Sequence, residues 1–128
     1  MENNNQSKKV LIIEDDESLR EMYVTKLKIA GFEVETAENG DEGLEKMRKG
    51  KPNLALLDIM MPKKNGFDVL EEVQKDESIK DIPIIILSNL GQESDMTLAK
   101  SLGARDYIIK SQIMLNDLVK KINHYMPA

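Results

Sequence analysis

The segment LALLDIMMP, residues 54–62, gives the clearest indication of the fold class. Its first four residues form a continuous apolar run, which is typical of a strand buried on both faces. The run delivers an aspartate, Asp58, and the pattern then breaks at Met60, Met61 and Pro62. A buried carboxylate is costly to leave unpaired, so we expect Asp58 to be hydrogen-bonded, paired with a cation or bound to a metal.

Short apolar segments of this kind alternate with amphipathic segments along the chain. Strands are predicted at residues 10–13, 32–37, 54–57, 83–87 and 107–109. Helices are predicted at residues 18–30, 41–49, 66–75, 93–102 and 113–126. This alternation predicts one α/β domain over residues 9–128, with a doubly wound five-stranded parallel sheet covered by helices on both faces. The polar segment 1–8 is expected to be a disordered tail.

Composition and charge narrow the class of protein. A chain of 128 residues with 41% apolar and 32% charged residues is typical of one soluble globular domain. A net charge of −5 and the absence of tryptophan argue against direct binding of nucleic acid. We expect no membrane insertion, because no apolar stretch approaches the ~20 residues that span a bilayer. The polar start lacks a signal peptide's apolar segment, so the cytoplasm is the expected location.

Polar residues follow four of the five predicted strands. They are Glu14 and Asp15, then Asp58, then Ser88, and finally Lys110. The carboxyl ends of parallel strands lie along one sheet edge, where α/β proteins bind ligands. If the first and third strands are neighbours, the three carboxylates share a pocket and repel one another, a conflict that Mg²⁺ resolves. Lys110 lies two strands from Asp58, about 10 Å, which a lysine side chain can largely bridge. The set therefore suits the formation and recognition of an acyl phosphate.

Four motifs resemble those of the receiver domain of two-component response regulators, as in the stand-alone chemotaxis regulator. They are VLIIEDD at 10–16, LALLDIMMPKKNG at 54–66, PIIILS at 83–88 and GARDYIIK at 103–110. Each motif alone is weak, but four in this order and spacing are specific. The resemblance implies a flavodoxin-like fold with strand order 2-1-3-4-5.

The resemblance also implies roles for individual residues. Asp58 would accept a phosphoryl group from a phosphohistidine on a sensor histidine kinase or a histidine phosphotransfer protein. Mg²⁺ would be bound by Asp15 and Asp58, by Glu14 through water, and by the backbone carbonyl of Met60.

Three further residues would respond to phosphorylation. Ser88 would hydrogen-bond the phosphoryl group, Lys110 would form an ion pair with it, and Tyr107 would change rotamer on activation. The domain would catalyse only its own phosphorylation and dephosphorylation. It would bind a downstream protein through its fourth helix, fifth strand and fifth helix, with a homodimer as a further possibility.

The sequence departs from the family pattern near Ser88 and Lys110. The family usually has a cis proline after its lysine, where this chain has Ser111. A cis bond before a non-proline residue costs ~3 kcal/mol, so cis and trans both stay open for this peptide. Asn89 is larger than the alanine usual after the hydroxyl residue. Met60 and Leu90 are apolar at positions that tune phosphate lifetime in the family, and we predict slow hydrolysis because they exclude water.

Other interpretations compete with this one. Glu14 and Asp15 could be solvated acids at a helix start, and Asp16 is expected to cap that helix. A degenerate receiver would act as an interaction module without phosphorylation. A magnesium phosphohydrolase would need a second acid two residues after Asp58, where the chain has Met60. A flavodoxin-like cofactor carrier would need a less acidic first loop. His124 is expected at the surface.

Overall fold

The computed structural model describes residues 8–128, which form a five-stranded parallel sheet flanked by five α-helices. The strands are β1 Lys9–Ile13, β2 Glu33–Ala37, β3 Leu54–Leu57, β4 Ile84–Ser88 and β5 Asp106–Ile109. The helices are α1 Glu17–Ile29, α2 Gly40–Gly50, α3 Gly66–Gln74, α4 Glu93–Ser101 and α5 Leu115–Tyr125. The predicted fold class is confirmed. Of the expected tail over residues 1–8, all but Lys8 lies outside the described residues.

The strand order is β2-β1-β3-β4-β5, and every neighbouring pair is parallel, as expected. Ile13 of β1 pairs with Leu57 of β3. Ser88 of β4 pairs with Ile109 of β5. Because strands in register end at the same level, the residues that follow β1, β3, β4 and β5 emerge together at one edge of the sheet.

Two apolar layers cover the sheet, one on each face, because successive side chains of a strand point to opposite sides. On β1, Leu11 and Ile13 pack into the layer beneath α2, α3 and α4, whereas Val10 and Ile12 pack into the layer beneath α1 and α5. All four are at most 1% exposed. Burying an aliphatic side chain of this size contributes about 2 kcal/mol, so the two layers fix the strands that carry the site.

The edge and centre of the sheet differ as the sequence pattern predicts. On the edge strand β2 only Ala37 is buried, whereas every residue of β4 is buried. Asp16 caps α1 by accepting a hydrogen bond from the amide of Leu19 at 2.9 Å, which confirms its predicted role. Across residues 8–128, every helix falls short of the length and apolar character needed to cross a bilayer.

The structure differs from the sequence prediction after β5. A 3-10 turn spans Lys110–Gln112, and α5 begins at Leu115, not at Ile113. Ile113 has an extended backbone, with φ −120° and ψ 137°, and this separates the turn from the helix. The peptide between Lys110 and Ser111 is trans.

Candidate functional site

The end of β1 fixes Glu14 through contacts with both neighbouring elements. The Glu14 amide donates to the carbonyl of Ala37 at 3.0 Å, and the guanidinium of Arg20 donates to the Glu14 carbonyl at 2.9 Å. The Glu14 carboxylate accepts from the amide of Asp16 at 3.1 Å. Glu14 is only 3% exposed, whereas Asp15 is exposed. The acidic pair therefore has one member inside the sheet edge and one at the surface.

Asp58 leaves β3 at the same level and is 5% exposed. Its amide donates to the carbonyl of Ile13 at 3.1 Å, and its Oδ1 accepts from the amide of Met60 at 3.3 Å. The first turn of α3 passes very close to it. A Cβ atom on Gly66 would lie 2.6 Å from the carbonyl oxygen of Asp58, so only glycine fits there.

The three carboxylates converge, as the parallel topology predicts. One oxygen from each of Glu14, Asp15 and Asp58 lies within 4.8 Å of the others. Burial raises the pKa of Glu14 and the negative charge of Asp58 adds to this, while hydrogen bonds from Lys110 and the Asp16 amide offset only part of the rise. The surroundings of Glu14 therefore oppose the ionisation of its carboxyl group, and a cation bound beside it would favour the charged form.

Lys110 reaches into this pocket from the end of β5. Its Nζ lies 2.9 Å from Oδ2 of Asp58 and 2.5 Å from Oε1 of Glu14, and its side chain is 9% exposed. Burial acts to lower the pKa of Lys110, but the hydrogen bonds to Glu14 and Asp58 outweigh it and raise the pKa overall. This ammonium contacts two carboxylates, and Asp15 adds a third to the cluster, so negative charge remains that a hard divalent cation with oxygen ligands can neutralise.

Ser88 and Tyr107 meet at the loop after β4. Ser88 is fully buried, and its Oγ accepts from the amide of Leu90 at 3.3 Å. Tyr107 is 9% exposed, and its hydroxyl donates to the carbonyl of Leu90 at 2.5 Å. Burial raises the pKa of Tyr107, and the charges of Asp95 and Asp58 add to this. The Tyr107 side chain therefore points inward, and its hydrogen bond to Leu90 stabilises the loop that follows Ser88.

The remaining predicted residues differ in how far they are exposed to solvent. Met60 is 60% exposed and Leu90 is partly buried. Asn89 is exposed, and its Oδ1 accepts from the backbone amide of Ser111 at 3.0 Å. His124 lies apart from the site, with its ring edge-on to Tyr125, as its predicted surface position requires.

Sequence reasoning missed two contacts. Arg20 lies four residues after the helix cap Asp16, a spacing that places it above the same turn and could have indicated it. The partner of Asn89 had no comparable signal, because it depends on the conformation of the turn after Lys110.

Comparison with known proteins places these residues in a family. The sequence model of the response regulator receiver domain matches residues 10–123. The probable transcriptional regulator ycf27 of Pyropia yezoensis is 43% identical over 106 residues, which are 83% of this chain and 42% of that protein. A CpxR homolog of Haemophilus influenzae is 41% identical over 102 residues, 80% of this chain and 43% of that protein. The chain thus spans about two fifths of the length of these curated relatives.

Solved structures agree with the sequence relatives. Chemotaxis protein CheY4 of Vibrio cholerae has a TM-score of 0.88 and 30% identity, covering 94% of this chain and 100% of that one. A CheY-like receiver domain protein of Methanospirillum hungatei has a TM-score of 0.86 and 30% identity, covering 93% of each chain. With the matching strand order and the acidic site at the sheet edge, the chain belongs to the response regulator receiver domain family of two-component systems.

Proposed function

We propose that this receiver domain accepts a phosphoryl group on Asp58 in a Mg²⁺-dependent reaction. The donor is a phosphohistidine on a sensor histidine kinase or a histidine phosphotransfer protein. The main support is one observation: carboxylate oxygens of the buried Asp58 and Glu14 and of the exposed Asp15 lie within 4.8 Å of one another, while Lys110 Nζ lies 2.9 Å from Asp58. The Lys110 ammonium, together with a cation held by the acids, would place positive charge beside the oxygens of an incoming phosphoryl group.

The chemistry asks for positioning more than for covalent work. A carboxylate oxygen of Asp58 attacks phosphorus, the P–N bond to the imidazole breaks, and the bond's electrons leave with the imidazole, which then takes a proton. Lys110 binds a phosphoryl oxygen in place of the Asp58 oxygen that it now contacts. The Ser88 hydroxyl, at the end of the adjacent strand, donates to a second oxygen.

The ligand set fits Mg²⁺ because it consists of hard oxygen donors. Asp15 and Asp58 would bind the ion directly, Glu14 through water, and Met60 through its backbone carbonyl. When bound, Mg²⁺ neutralises charge on the phosphoryl oxygens. Burial raises the pKa of Glu14, and the nearby charge of Asp58 adds a smaller contribution, so a bound cation would favour the ionised carboxylate that this assignment requires.

The output face comprises α4, β5 and α5. Ala99 is the only buried residue of α4, so this helix is the one that can shift with least loss of packing. Ser88 and Tyr107 both contact the Leu90 backbone in the loop that leads into α4. Movement of Ser88 toward a phosphoryl group, with a rotamer change at Tyr107, would transmit phosphorylation to a protein partner or a second receiver at this face. As a receiver domain, the chain is proposed to act in the cytoplasm and on no separate metabolite.

Intact mass spectrometry tests the proposal. The protein is incubated with Mg²⁺ and acetyl phosphate, alongside Asp58→Asn and the neighbouring acid variant Asp16→Asn as a matched control. We expect one added phosphoryl group on the wild type and Asp16→Asn, and none on Asp58→Asn or without Mg²⁺. Equal gain in all proteins, or in none, would instead favour a phosphorylation-independent interaction module.

A further inference from the structure

The loop after β4 and the turn after β5 are joined by one side-chain hydrogen bond. Oδ1 of Asn89 accepts from the backbone amide of Ser111 at 3.0 Å. Asn89 follows Ser88, and Ser111 follows Lys110, at the ends of two strands that pair Ser88 with Ile109. The bond therefore connects the residues next to the two groups that would bind the phosphoryl group.

The loop that carries Ser88 is fastened from two sides. On the inner side, the hydroxyl of Tyr107 donates to the carbonyl of Leu90. On the outer side, Asn89 accepts from Ser111. The loop is therefore bound at Asn89 and at Leu90. While the hydrogen bond between Asn89 and Ser111 persists, the loop cannot move independently of the Lys110–Gln112 turn.

The Lys110–Gln112 turn sets the backbone position from which the Lys110 side chain extends. Ser111 is the middle residue of that 3-10 turn, and short 3-10 segments have weak internal hydrogen bonds. An external acceptor for the Ser111 amide therefore fixes the orientation of the turn. The Lys110 ammonium contacts Asp58, which is two strands away, and Glu14, which is three strands away, so a small rotation at the base of the side chain displaces it from both carboxylates.

We propose that Asn89 is a positioning residue. By binding the Ser111 amide it fixes the Lys110 turn relative to Ser88, so that the ammonium and the hydroxyl reach a phosphoryl group on Asp58 together. The inference rests on the proposed function of Asp58. It differs from a role of Asn89 in restricting access to the site, because it requires the Ser111 amide as partner.

The test combines removal of the acceptor with removal of the donor. Asn89→Ala removes the acceptor, and Asn89→Asp keeps an oxygen in its place. Ser111→Pro removes the amide donor, with Ser111→Ala as its matched control. Asn123→Ala, at an exposed asparagine on α5, controls for asparagine loss. Initial rates of phosphorylation are measured at saturating acetyl phosphate and Mg²⁺, together with the Mg²⁺ concentration for half-maximal rate and the thermal midpoint.

We expect Asn89→Ala to lower the maximal rate about two- to tenfold, the range for loss of one hydrogen bond. The half-maximal Mg²⁺ concentration should match that of the wild type, and the thermal midpoint should fall by no more than the few degrees that one hydrogen bond accounts for, which separates positioning from loss of structure. Hydrogen exchange at the Ser111 amide should accelerate in Asn89→Ala and stay slow in Asn89→Asp. In the Ser111→Pro background, Asn89→Ala should have no further effect.

An unchanged or increased maximal rate in Asn89→Ala would overturn the inference. It would also be overturned if Asn89→Ala lowered the maximal rate by the same factor in the wild type and in Ser111→Pro. Should Ser111→Pro fail to fold, unaltered exchange of the Ser111 amide in Asn89→Ala would overturn it equally. Absence of phosphorylation in the wild type would overturn the proposed function itself, and this inference with it.

Discussion

The ammonium nitrogen of Lys110 lies 2.9 Å from Oδ2 of Asp58, although 52 positions separate these residues in the chain. The same nitrogen lies 2.5 Å from Glu14, so one cation serves two buried carboxylates. With Asp15 beside them, the pocket carries more negative than positive charge. Ligands that change this balance should change both the stability and the reactivity of the domain.

The excess of negative charge predicts stabilisation by Mg²⁺. At ten times its dissociation constant, Mg²⁺ should raise the free energy of unfolding by about 1.4 kcal/mol. This corresponds to a rise of roughly 3–6 °C in the thermal midpoint for a domain of this size. Scanning calorimetry with and without MgCl₂, against NaCl of equal ionic strength, measures the shift.

Variants of two adjacent acids provide the control for this prediction. Asp15→Asn should remove most of the Mg²⁺ effect, and in metal-free buffer it should stabilise the protein by relieving repulsion. Asp16→Asn should retain the effect, because the Asp16 side chain caps α1 instead. A Mg²⁺ shift of the same size in Asp15→Asn would argue against the assigned ligands.

The close approach of α3 to Asp58 predicts a steric effect at Gly66. In Gly66→Ala, the new Cβ would lie 2.6 Å from the Asp58 carbonyl and 2.8 Å from Cα of Ile59, both backbone atoms. We expect a loss of about 1–3 kcal/mol in the free energy of unfolding, as for overpacked sites, and slower phosphorylation. Urea unfolding measures the first effect.

Gly91→Ala is a matched control for Gly66→Ala. Its Cβ would lie 3.0 Å from the terminal Cδ1 of Ile109, a side-chain atom that can move. It should therefore cost much less than Gly66→Ala. Equal losses in the two variants would show that backbone proximity to Asp58 is not the cause.

Asp106 predicts a pH-dependent contribution to stability. Burial acts to raise its pKa, but hydrogen bonds from the Tyr107 amide, Lys121 and Tyr125 outweigh this and lower the pKa below its ordinary value. A carboxyl with a lowered folded-state pKa stabilises the fold above its unfolded pKa, near 3.9, and loses this effect as pH falls through the folded value. Asp106→Asn should cost roughly 1 kcal/mol at pH 7.

The destabilisation by Asp106→Asn should begin to shrink as pH falls below the unfolded pKa, and it should shrink further through the lowered folded pKa, where the wild-type carboxyl becomes protonated. Unfolding free energies of both proteins at pH 7 and pH 3 measure this difference. A penalty that stayed constant across this range would contradict the assigned ionisation.

The apolar residues Met60 and Leu90 predict a long-lived phosphoryl group on Asp58. Met60 is 60% exposed and its amide donates to Oδ1 of Asp58, while Leu90 is partly buried and its amide donates to Oγ of Ser88. Their apolar surfaces offer no hydrogen bond to an attacking water, so we expect the phosphorylated protein to persist for minutes. Met60→Gln should shorten this lifetime several-fold, measured by loss of phosphoryl mass after donor removal, whereas Met114→Gln should not. Loss from the wild type within seconds would contradict this.

The sheet and the convergence of the site were predictable because they follow from topology. Alternating apolar and amphipathic segments define the parallel sheet, and parallel strands bring Glu14, Asp58, Ser88 and Lys110 to one edge. The side-chain contacts of the loops were not predictable in this way. Arg20 on the Glu14 carbonyl and Asn89 on the Ser111 amide depend on the backbone geometry of a few residues. The 3-10 turn at Lys110–Gln112 was missed for the same reason.

Chemical mapping of the phosphoryl group shows which residue accepts it. After incubation with acetyl phosphate and Mg²⁺, borohydride reduction converts an aspartyl phosphate to homoserine, and peptide mass spectrometry locates the change. We predict that homoserine is found at position 58 alone. A phosphoryl group on His124, on Asp15 or on any residue other than Asp58 would contradict it.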